Sequence, residues 1–255
     1  LDLAVKLGLL NKNVAKQVGN VKKQKKKIDF WTQNEFEKVI STFDISDYYE
    51  HYTFIIIWLL FMTGLRLGEA QALEWTDIDF ENKTLTVSKS MYYKSANEFY
   101  VTEPKTRAGN RTIALDDVTI QYLTEWKSVQ GKNVFSKYVL SYNGLPTNKS
   151  TTKHIIERHS KLAGVHTIKT HALRHSHASL LISLGENAIV VRDRLGHEDV
   201  ETTLGTYGHL YPNTNIEVAK KLNNLISVKK DDTITRNFIS NQFVKNRQSG
   251  CNNIS

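Results

Sequence analysis

A short stretch in the second half of the chain gathers side chains that can bind and attack a phosphate. His171 and Arg174 are three residues apart, a spacing that puts both on one face of a helix. Gly196 is placed to end a following helix, so His197 lies at a helix boundary. Tyr207 comes ten residues later, on a further short helical segment. These groups could surround one phosphate.

The histidines also admit a plainer interpretation. His171 and His175 have the i,i+4 spacing of some zinc sites. The glutamate of the metalloprotease pattern is missing between them, however, and Arg174 would repel a cation, so we predict no metal ion. His175, His177 and His209 are expected to pack in the interior or to lie on the surface.

The charge balance favours a polyanionic partner. The chain of 255 residues has 34 Lys and Arg against 26 Asp and Glu, a net charge of +8, which suits nucleic acid or a membrane surface. More than half of this excess comes from a run without an acidic residue: Lys22, Lys23, Lys25, Lys26 and Lys27. By default such a run is a solvated linker, and it becomes a candidate phosphate contact if the partner is DNA.

Composition and cysteine usage narrow the class of protein. Apolar residues make up 40 % and charged residues 24 %, as expected of one large folded domain or two small ones. The single cysteine, Cys251, excludes an intramolecular disulfide and fits a reducing compartment. The longest apolar run, residues 54–62, is too short to span a bilayer. We therefore expect a soluble cytoplasmic protein with no membrane partner, and the missing initiator Met indicates a fragment of a longer chain.

The hydrophobic periodicity predicts an α+β fold that is mainly helical with a small antiparallel sheet. A capping box from Thr32 to Glu35 starts one helix, and the apolar residues 50–63 form a helix that should be fully buried. Strands are expected on both sides of a turn at 81–83 and again over 90–102 and 111–115. Further helices are expected over 67–74, 117–129, 148–163, 171–184, 186–195, 199–207 and 213–227.

The same patterns divide the chain into four segments. Residues 1–18 have helical spacing but are too short to bury their own apolar face, so we expect the end of a truncated domain. Residues 19–29 form a basic linker, and residues 30–227 form the main domain. Residues 228–255 are polar and weakly patterned, and this tail is expected to be mobile or to depend on a partner.

Six short motifs, in order along the chain, resemble those of the tyrosine recombinases, in particular the integrases of temperate phages and conjugative transposons. The motifs are Thr-Gly-Leu-Arg at 63–66, Pro-Lys-Thr at 104–106, Asn-Arg-Thr-Ile at 110–113, His-Ala-Leu-Arg at 171–174, Leu-Gly-His at 195–197 and the tyrosine at 207. The resemblance covers roughly residues 28–226, the catalytic domain of that family. Residues 1–18 are similar to the last helix of its core-binding domain.

The resemblance implies a site-specific DNA recombinase that integrates and excises a mobile element through a 3′-phosphotyrosyl intermediate. Tyr207 would be the nucleophile. Arg66 and Arg174 would clamp the non-bridging oxygens of the scissile phosphate, a task that suits the planar guanidinium. Lys105 would protonate the departing 5′ oxygen. No metal or organic cofactor would be required, because the arginines supply the positive charge.

Further residues would support the reaction in the same family scheme. His171 would assist proton transfer at the tyrosine, and His197 would hydrogen-bond the phosphate. Glu69 would orient the pocket. Arg111 and the five lysines of the linker would contact DNA.

The implied partners are double-stranded attachment sites, a homotetramer assembled on DNA, and accessory excision or architectural proteins. Residues 228–255 would dock on a neighbouring protomer. The expected location is the bacterial cytoplasm, at the nucleoid.

Two other functions stay open at this level: a type IB topoisomerase that uses similar residues as a monomer, and a DNA-binding module with a vestigial pocket. The intact set of catalytic positions argues against the second. Arg66 and Lys105, taken singly, could be ordinary surface residues. Tyr211 is the nearest alternative to Tyr207 among 11 tyrosines, and the spacing from His197 favours Tyr207.

Overall fold

The computed structural model describes residues 1–18, 28–95, 98–104, 106–212 and 215–223. The chain divides into two compact units, residues 1–211 and residues 212–255. The predicted lysine run and the predicted tail over 228–255 lie outside the described residues. The predicted domain limits therefore stay predictions.

Helices account for most of the secondary structure in the described part of the chain. In the first unit they are α1 (Asp2–Lys6), α2 (Val14–Val18), α3 (Gln33–Ile40), α4 (Tyr48–Thr63), α5 (Leu67–Ala72), α6 (Asp117–Asn133), α7 (Lys149–Leu162), α8 (Ala172–Ser183), α9 (Ala188–Leu195) and α10 (Val200–Tyr207). The second unit contains α11 (Asn215–Leu222). The strands are β1 (Ile78–Asp79), β2 (Thr84–Val87), β3 (Ser90–Tyr93), β4 (Phe99–Thr102) and β5 (Arg111–Ala114).

The long helix α4 forms the centre of the first unit. Its sequence is apolar on every side, and Ile55, Ile56 and Ile57 are completely buried. The helix packs against α6, α7 and α8, so it needs no polar face. The predicted fully buried helix is confirmed. None of the helices in the described ranges, α4 included, is long and apolar enough to cross a membrane.

Side-chain caps set the starts of the helices around the candidate site. Thr32 and Glu35 form the predicted capping box of α3. Asn148, Asn187 and Asp199 accept backbone N–H groups at the starts of α7, α9 and α10. α8 has no side-chain cap, and all four helices from α7 to α10 begin and end within two residues of the ranges that the sequence predicts.

A three-stranded antiparallel sheet, in the order β1-β2-β5, lies against the core. The Asp79 carboxylate accepts the backbone N–H groups of Glu81 and Asn82 and so stabilises the turn between β1 and β2. Leu85 of β2 lies opposite Ile113 of β5, and both side chains are buried. The predicted hairpin and the predicted last strand are confirmed.

The prediction of a single strand over residues 90–102 is wrong. β3 and β4 form a separate antiparallel hairpin, in which Ser90 pairs with Thr102. The chain reverses after Lys94, whose backbone N–H donates to the carbonyl of Glu98 at 2.9 Å. Apolar and polar residues alternate both before and after this turn. Periodicity alone therefore does not distinguish two short strands from one long strand.

A left-handed glycine brings the end of α4 close to α8 and α9. Gly64 has φ +66°, and a Cβ at this position would lie 2.6 Å from the His177 ring and 2.7 Å from the Leu195 side chain. Only glycine combines this backbone conformation with this close approach. The helix ends that surround the candidate site therefore depend on Gly64.

Replacing Gly64 with Ala should destabilise the protein more than the same change at Gly164, which has the same φ of +66°. The Gly164→Ala variant faces open space in the described structure, so it should cost only the left-handed strain of about 1–2 kcal/mol. Gly64→Ala should cost about 1–3 kcal/mol more, because it overpacks the interior. Urea unfolding of both variants measures the difference, and equal losses would contradict the packing argument.

Candidate active site

The guanidinium of Arg174 is buried at the centre of the candidate site, with 2 % of the residue exposed. It donates to the carbonyl of Gly64 at 2.8 Å and to that of Leu195 at 2.6 Å. These carbonyls lie at the ends of α4 and α9, so one side chain of α8 joins three helices. Burial, followed by the charge of Arg66, lowers the pKa of Arg174 to about 9, and the group stays positively charged at neutral pH.

Arg66 is the second cation of the site and lies just before α5. Its guanidinium donates to Glu69 at 2.8 Å and to the Gly196 carbonyl at 3.1 Å. Its backbone N–H donates to the other oxygen of Glu69 at 2.9 Å. The side chain keeps 40 % of its surface exposed. Arg66 is therefore fixed in position and still open to a ligand.

Glu69 is a buried carboxylate shared by two arginines. The Nη2 of Arg111 donates to it at 2.9 Å, and the Nη1 does so at 3.2 Å. Burial acts to raise the pKa of Glu69, but the hydrogen bonds and charge of Arg111 and the bonds from Arg66 outweigh it and lower the pKa below its ordinary value. The carboxylate is therefore charged at neutral pH and holds both guanidinium groups.

Arg111 is the second arginine that pairs with Glu69, and its side chain is almost entirely buried. Its side chain is only 6 % exposed, and its Nε donates to the carbonyl of Arg194 at 2.8 Å. The pair with Glu69 compensates the burial of its charge. Arg111 thus holds Glu69, and its contact with DNA stays a prediction.

Two predicted histidines lie in the field of these arginines. Partial burial, followed by the charges of Arg174 and Arg66, lowers the pKa of His171. The same causes in the same order lower the pKa of His197 to about 4. The Nδ1 of His197 lies 2.9 Å from the hydroxyl of Thr203, which fixes its ring. A pocket that resists further positive charge is suited to an anion.

Tyr207 ends α10 with its side chain almost entirely buried, at 1 % exposure. Its ring packs among apolar side chains of α8 and α9, including Ile182 and Leu195. Its hydroxyl lies 2.7 Å from the Nδ1 of His175. Burial raises the pKa of Tyr207 to about 12, and the charge of Arg174 acts in the opposite direction. The phenol is therefore protonated at neutral pH.

Neighbouring contacts and charges link five of the six predicted catalytic residues in one region of the structure: Arg66, His171, Arg174, His197 and Tyr207. Lys105 and the five lysines of the predicted linker lie outside the described residues. The catalytic roles stay predictions.

Sequence reasoning assigned His175 to packing, whereas the structure gives it a direct contact with Tyr207. The one available signal was its i,i+4 relation to His171, which puts both rings on one side of α8. That spacing was weighed only as a possible zinc site. The partner of His175 comes from another helix and could not be read from spacing within α8.

Replacing Glu69 with Gln should lower the free energy of unfolding by about 2–4 kcal/mol at neutral pH, because two guanidinium groups lose their carboxylate. The control is Glu98→Gln, which breaks an ion pair with Lys94 whose side chains are 59 % and 67 % exposed. That change should cost less than about 1 kcal/mol. Urea unfolding measures both losses, and equal values would contradict the buried-pair argument.

The same carboxylate predicts acid sensitivity. The folded-state pKa of Glu69 lies below its ordinary value, so its stabilisation is present above about pH 4.5 and is lost as the pH falls through the folded-state pKa. The unfolding free energy of the wild type should therefore fall more steeply below about pH 5 than that of Glu69→Gln. Parallel pH curves for the two proteins would contradict this assignment.

Comparison with known proteins shows where the chain belongs. The profile of the phage integrase family matches residues 29–214. The ICEBs1 integrase of Bacillus subtilis is 36 % identical over 234 residues, which are 88 % of this chain and 62 % of that protein. The transposase of transposon Tn916 from Enterococcus faecalis is 25 % identical over 214 residues, 75 % of this chain and 50 % of that protein. The chain thus spans less than two thirds of each of these relatives.

A solved structure shares the architecture. The Tn1549 transposon integrase, in complex with transposon right end DNA, superposes with a TM-score of 0.63 at 22 % identity. The match covers 79 % of this chain and 67 % of that one. The predicted fold, a mainly helical tyrosine-recombinase catalytic domain with small antiparallel sheets, is confirmed. Because the family profile covers most of the sequence, the chain belongs to the phage integrase family.

Proposed function

We propose that this chain is the catalytic part of an integrase, which cleaves and rejoins DNA to integrate and excise a mobile genetic element. The observation behind this proposal is a buried phenol, Tyr207, in a pocket with the guanidinium groups of Arg174 and Arg66. Guanidinium groups bind phosphate oxygens, and a phenol can attack the phosphorus between them. This set of groups matches the chemistry of a covalent phosphotyrosine.

The relatives support the same function. Two of them are named as an integrase and as a transposase of a transposon. The Tn1549 integrase, which has the same fold, was solved with transposon DNA. We infer that the partner of this chain is double-stranded DNA that contains an attachment site, in the bacterial cytoplasm.

In the proposed mechanism, Arg66 and Arg174 bind the two non-bridging oxygens of the scissile phosphate. Each guanidinium donates two of its five N–H groups to partners in the described part of the chain, so three donors remain for the ligand. Negative charge grows on the phosphate oxygens in the pentavalent transition state, so cations already fixed in place stabilise that state most. Glu69 holds the guanidinium of Arg66, and the carbonyls at the helix ends hold that of Arg174.

Tyr207 attacks the phosphorus through its phenolic oxygen. The bond from this oxygen to phosphorus forms as the bond from phosphorus to the 5′ oxygen breaks, which leaves a 3′-phosphotyrosyl end and a 5′-hydroxyl end. His171 assists removal of the phenol proton, His197 donates a hydrogen bond to the phosphate, and Lys105 protonates the 5′ oxygen. The phosphodiester energy stays in the tyrosine linkage, so rejoining needs no ATP.

We place this reaction in an assembly of four protomers on two DNA sites. The lysine run from Lys22 to Lys27 is proposed to follow the DNA backbone, where each neutralised phosphate makes binding more sensitive to salt. Residues 228–255 are proposed to dock on a neighbouring protomer. Accessory excision or architectural proteins are proposed to set the direction of recombination.

Replacing Tyr207 with Phe should abolish the covalent protein–DNA adduct, because the attacking oxygen is removed. The substrate is a duplex with the element's own attachment sequence, taken from the repeats at its ends, and with a nick beside the cleavage site. The control is Tyr211→Phe, since the buried Tyr211 hydroxyl has no hydrogen-bond partner among the described residues. A denaturing gel detects the adduct. An adduct with Tyr207→Phe, or its loss only with Tyr211→Phe, would contradict the nucleophile assignment.

Replacing Arg66 with Gln should slow cleavage by about 10²–10³, the usual cost of one lost donor to a developing oxyanion. The measurement is single-turnover cleavage at saturating protein, so that weaker DNA binding does not enter the rate. Arg158→Gln is the control, because Arg158 is exposed and pairs with Glu50. A rate for Arg66→Gln within a few fold of the control would exclude Arg66 from the phosphate clamp.

A further inference from the structure

The Tyr207 hydroxyl has a specific partner that the mechanism above does not use. The Nδ1 of His175 lies 2.7 Å from the phenolic oxygen. The two rings meet at 64°, with their centroids 5.6 Å apart. Apolar side chains of α8 and α9 hold the Tyr207 ring, so this contact fixes its polar atom. His175 therefore touches the atom that would attack the phosphorus.

The positions of the two histidine rings show which of them contacts Tyr207. His171 is the residue before α8, and His175 lies one turn further along. Their rings meet edge to face at 84°, with centroids 4.9 Å apart. Among the described aromatic contacts, one runs from His171 to His175 and the next from His175 to Tyr207. His175 is thus the histidine in direct contact with the nucleophile.

The acid–base properties favour a hydrogen bond over removal of the proton by His175. Burial, followed by the charges of His171 and Arg174, lowers the pKa of His175 to about 4. Burial raises the pKa of Tyr207 to about 12. Complete transfer of the proton from the phenol to this imidazole is therefore disfavoured. Before the reaction, a neutral imidazole can still accept the phenol O–H at Nδ1, which leaves the oxygen lone pairs for the phosphorus. In the proposed mechanism, the proton leaves, with the help of His171, only as the bond to phosphorus forms.

We propose that His175 is a positioning residue for the nucleophile, whose Nδ1 holds the Tyr207 hydroxyl in the orientation from which its oxygen attacks. This role rests on the proposed recombinase function. Packing alone fixes the phenol ring but leaves its O–H free to rotate, and the hydrogen bond to His175 removes that freedom. Loss of alignment of this kind costs on the order of 10² in rate.

Two substitutions at His175 separate hydrogen bonding from packing. In His175→Asn the side-chain amide lies near the former Nδ1 and can still accept the phenol O–H, whereas His175→Leu has a similar size and no acceptor. In single-turnover cleavage of the nicked attachment duplex, His175→Leu should be about 10²-fold slower than the wild type. His175→Asn should recover most of that loss. His154→Leu, at a side chain that is 72 % exposed, is the surface control.

A second substrate distinguishes the nucleophile side of the reaction from the leaving-group side. A duplex with a bridging 5′ sulfur releases a thiolate, which needs no protonation. It should restore cleavage by Lys105→Ala, the proposed general acid, but should leave His175→Leu slow. Rescue of His175→Leu by the sulfur would overturn the positioning role, because the defect would then lie at the leaving group.

The outcomes keep the two proposals apart. If the wild type forms no adduct, the recombinase function itself fails, whatever His175 does. If the wild type forms the adduct and His175→Leu forms it as fast, the positioning role is overturned and the function stands. Equal loss in His175→Asn and His175→Leu also overturns the role, because the retained hydrogen bond should restore the rate.

Discussion

The buried guanidinium of Arg174 is the constraint on which the site depends. A buried charge is costly unless its donors are satisfied, and the last carbonyls of a helix lack partners within the helix. Arg174 meets both needs at once, because it donates to carbonyls at the ends of α4 and α9. The negative ends of these helix dipoles also favour its charge. His175, the next residue on α8, takes its position from the same anchoring.

Among the described residues of the candidate site, positive charge exceeds negative charge, and a bound phosphate would reduce this excess. Arg66 and Arg111 pair with the buried carboxylate of Glu69, and Arg174 donates only to backbone carbonyls in the described part of the chain. The same excess positive charge helps to lower the pKa of His197 to about 4, after the larger effect of burial. A phosphate supplies the missing negative charge and gains more of it in the transition state. In the proposed mechanism, binding and catalysis therefore depend on the same excess of positive charge.

Local sequence rules predicted much of the fold, since helix starts depend on caps such as Asn187 and Asp199, within a few residues of the helix. They failed for β3 and β4, where alternation continues across a reversal of the chain. Contacts between segments that are distant in the sequence could not be predicted from local patterns. The pair of Arg111 with Glu69 is one example, because an arginine in a strand carries no sign of a buried partner 42 residues away. The contact of His175 with Tyr207 was missed for the same reason, since α10 brings in the second partner.

If Tyr207 is the nucleophile, as proposed, its burial keeps the phenol unreactive until a substrate is bound. In the free chain the phenol has a pKa raised to about 12, so almost none of it is ionised at neutral pH. The positive charge of Arg174 acts to lower the pKa of the phenol. Arg66 is the partly exposed arginine that a ligand can reach. As the bond to phosphorus forms, the phenol becomes far more acidic, and its proton can leave only then. In the proposed mechanism, reactivity is thus tied to a phosphate already held by both arginines, which would confine the attack to bound DNA.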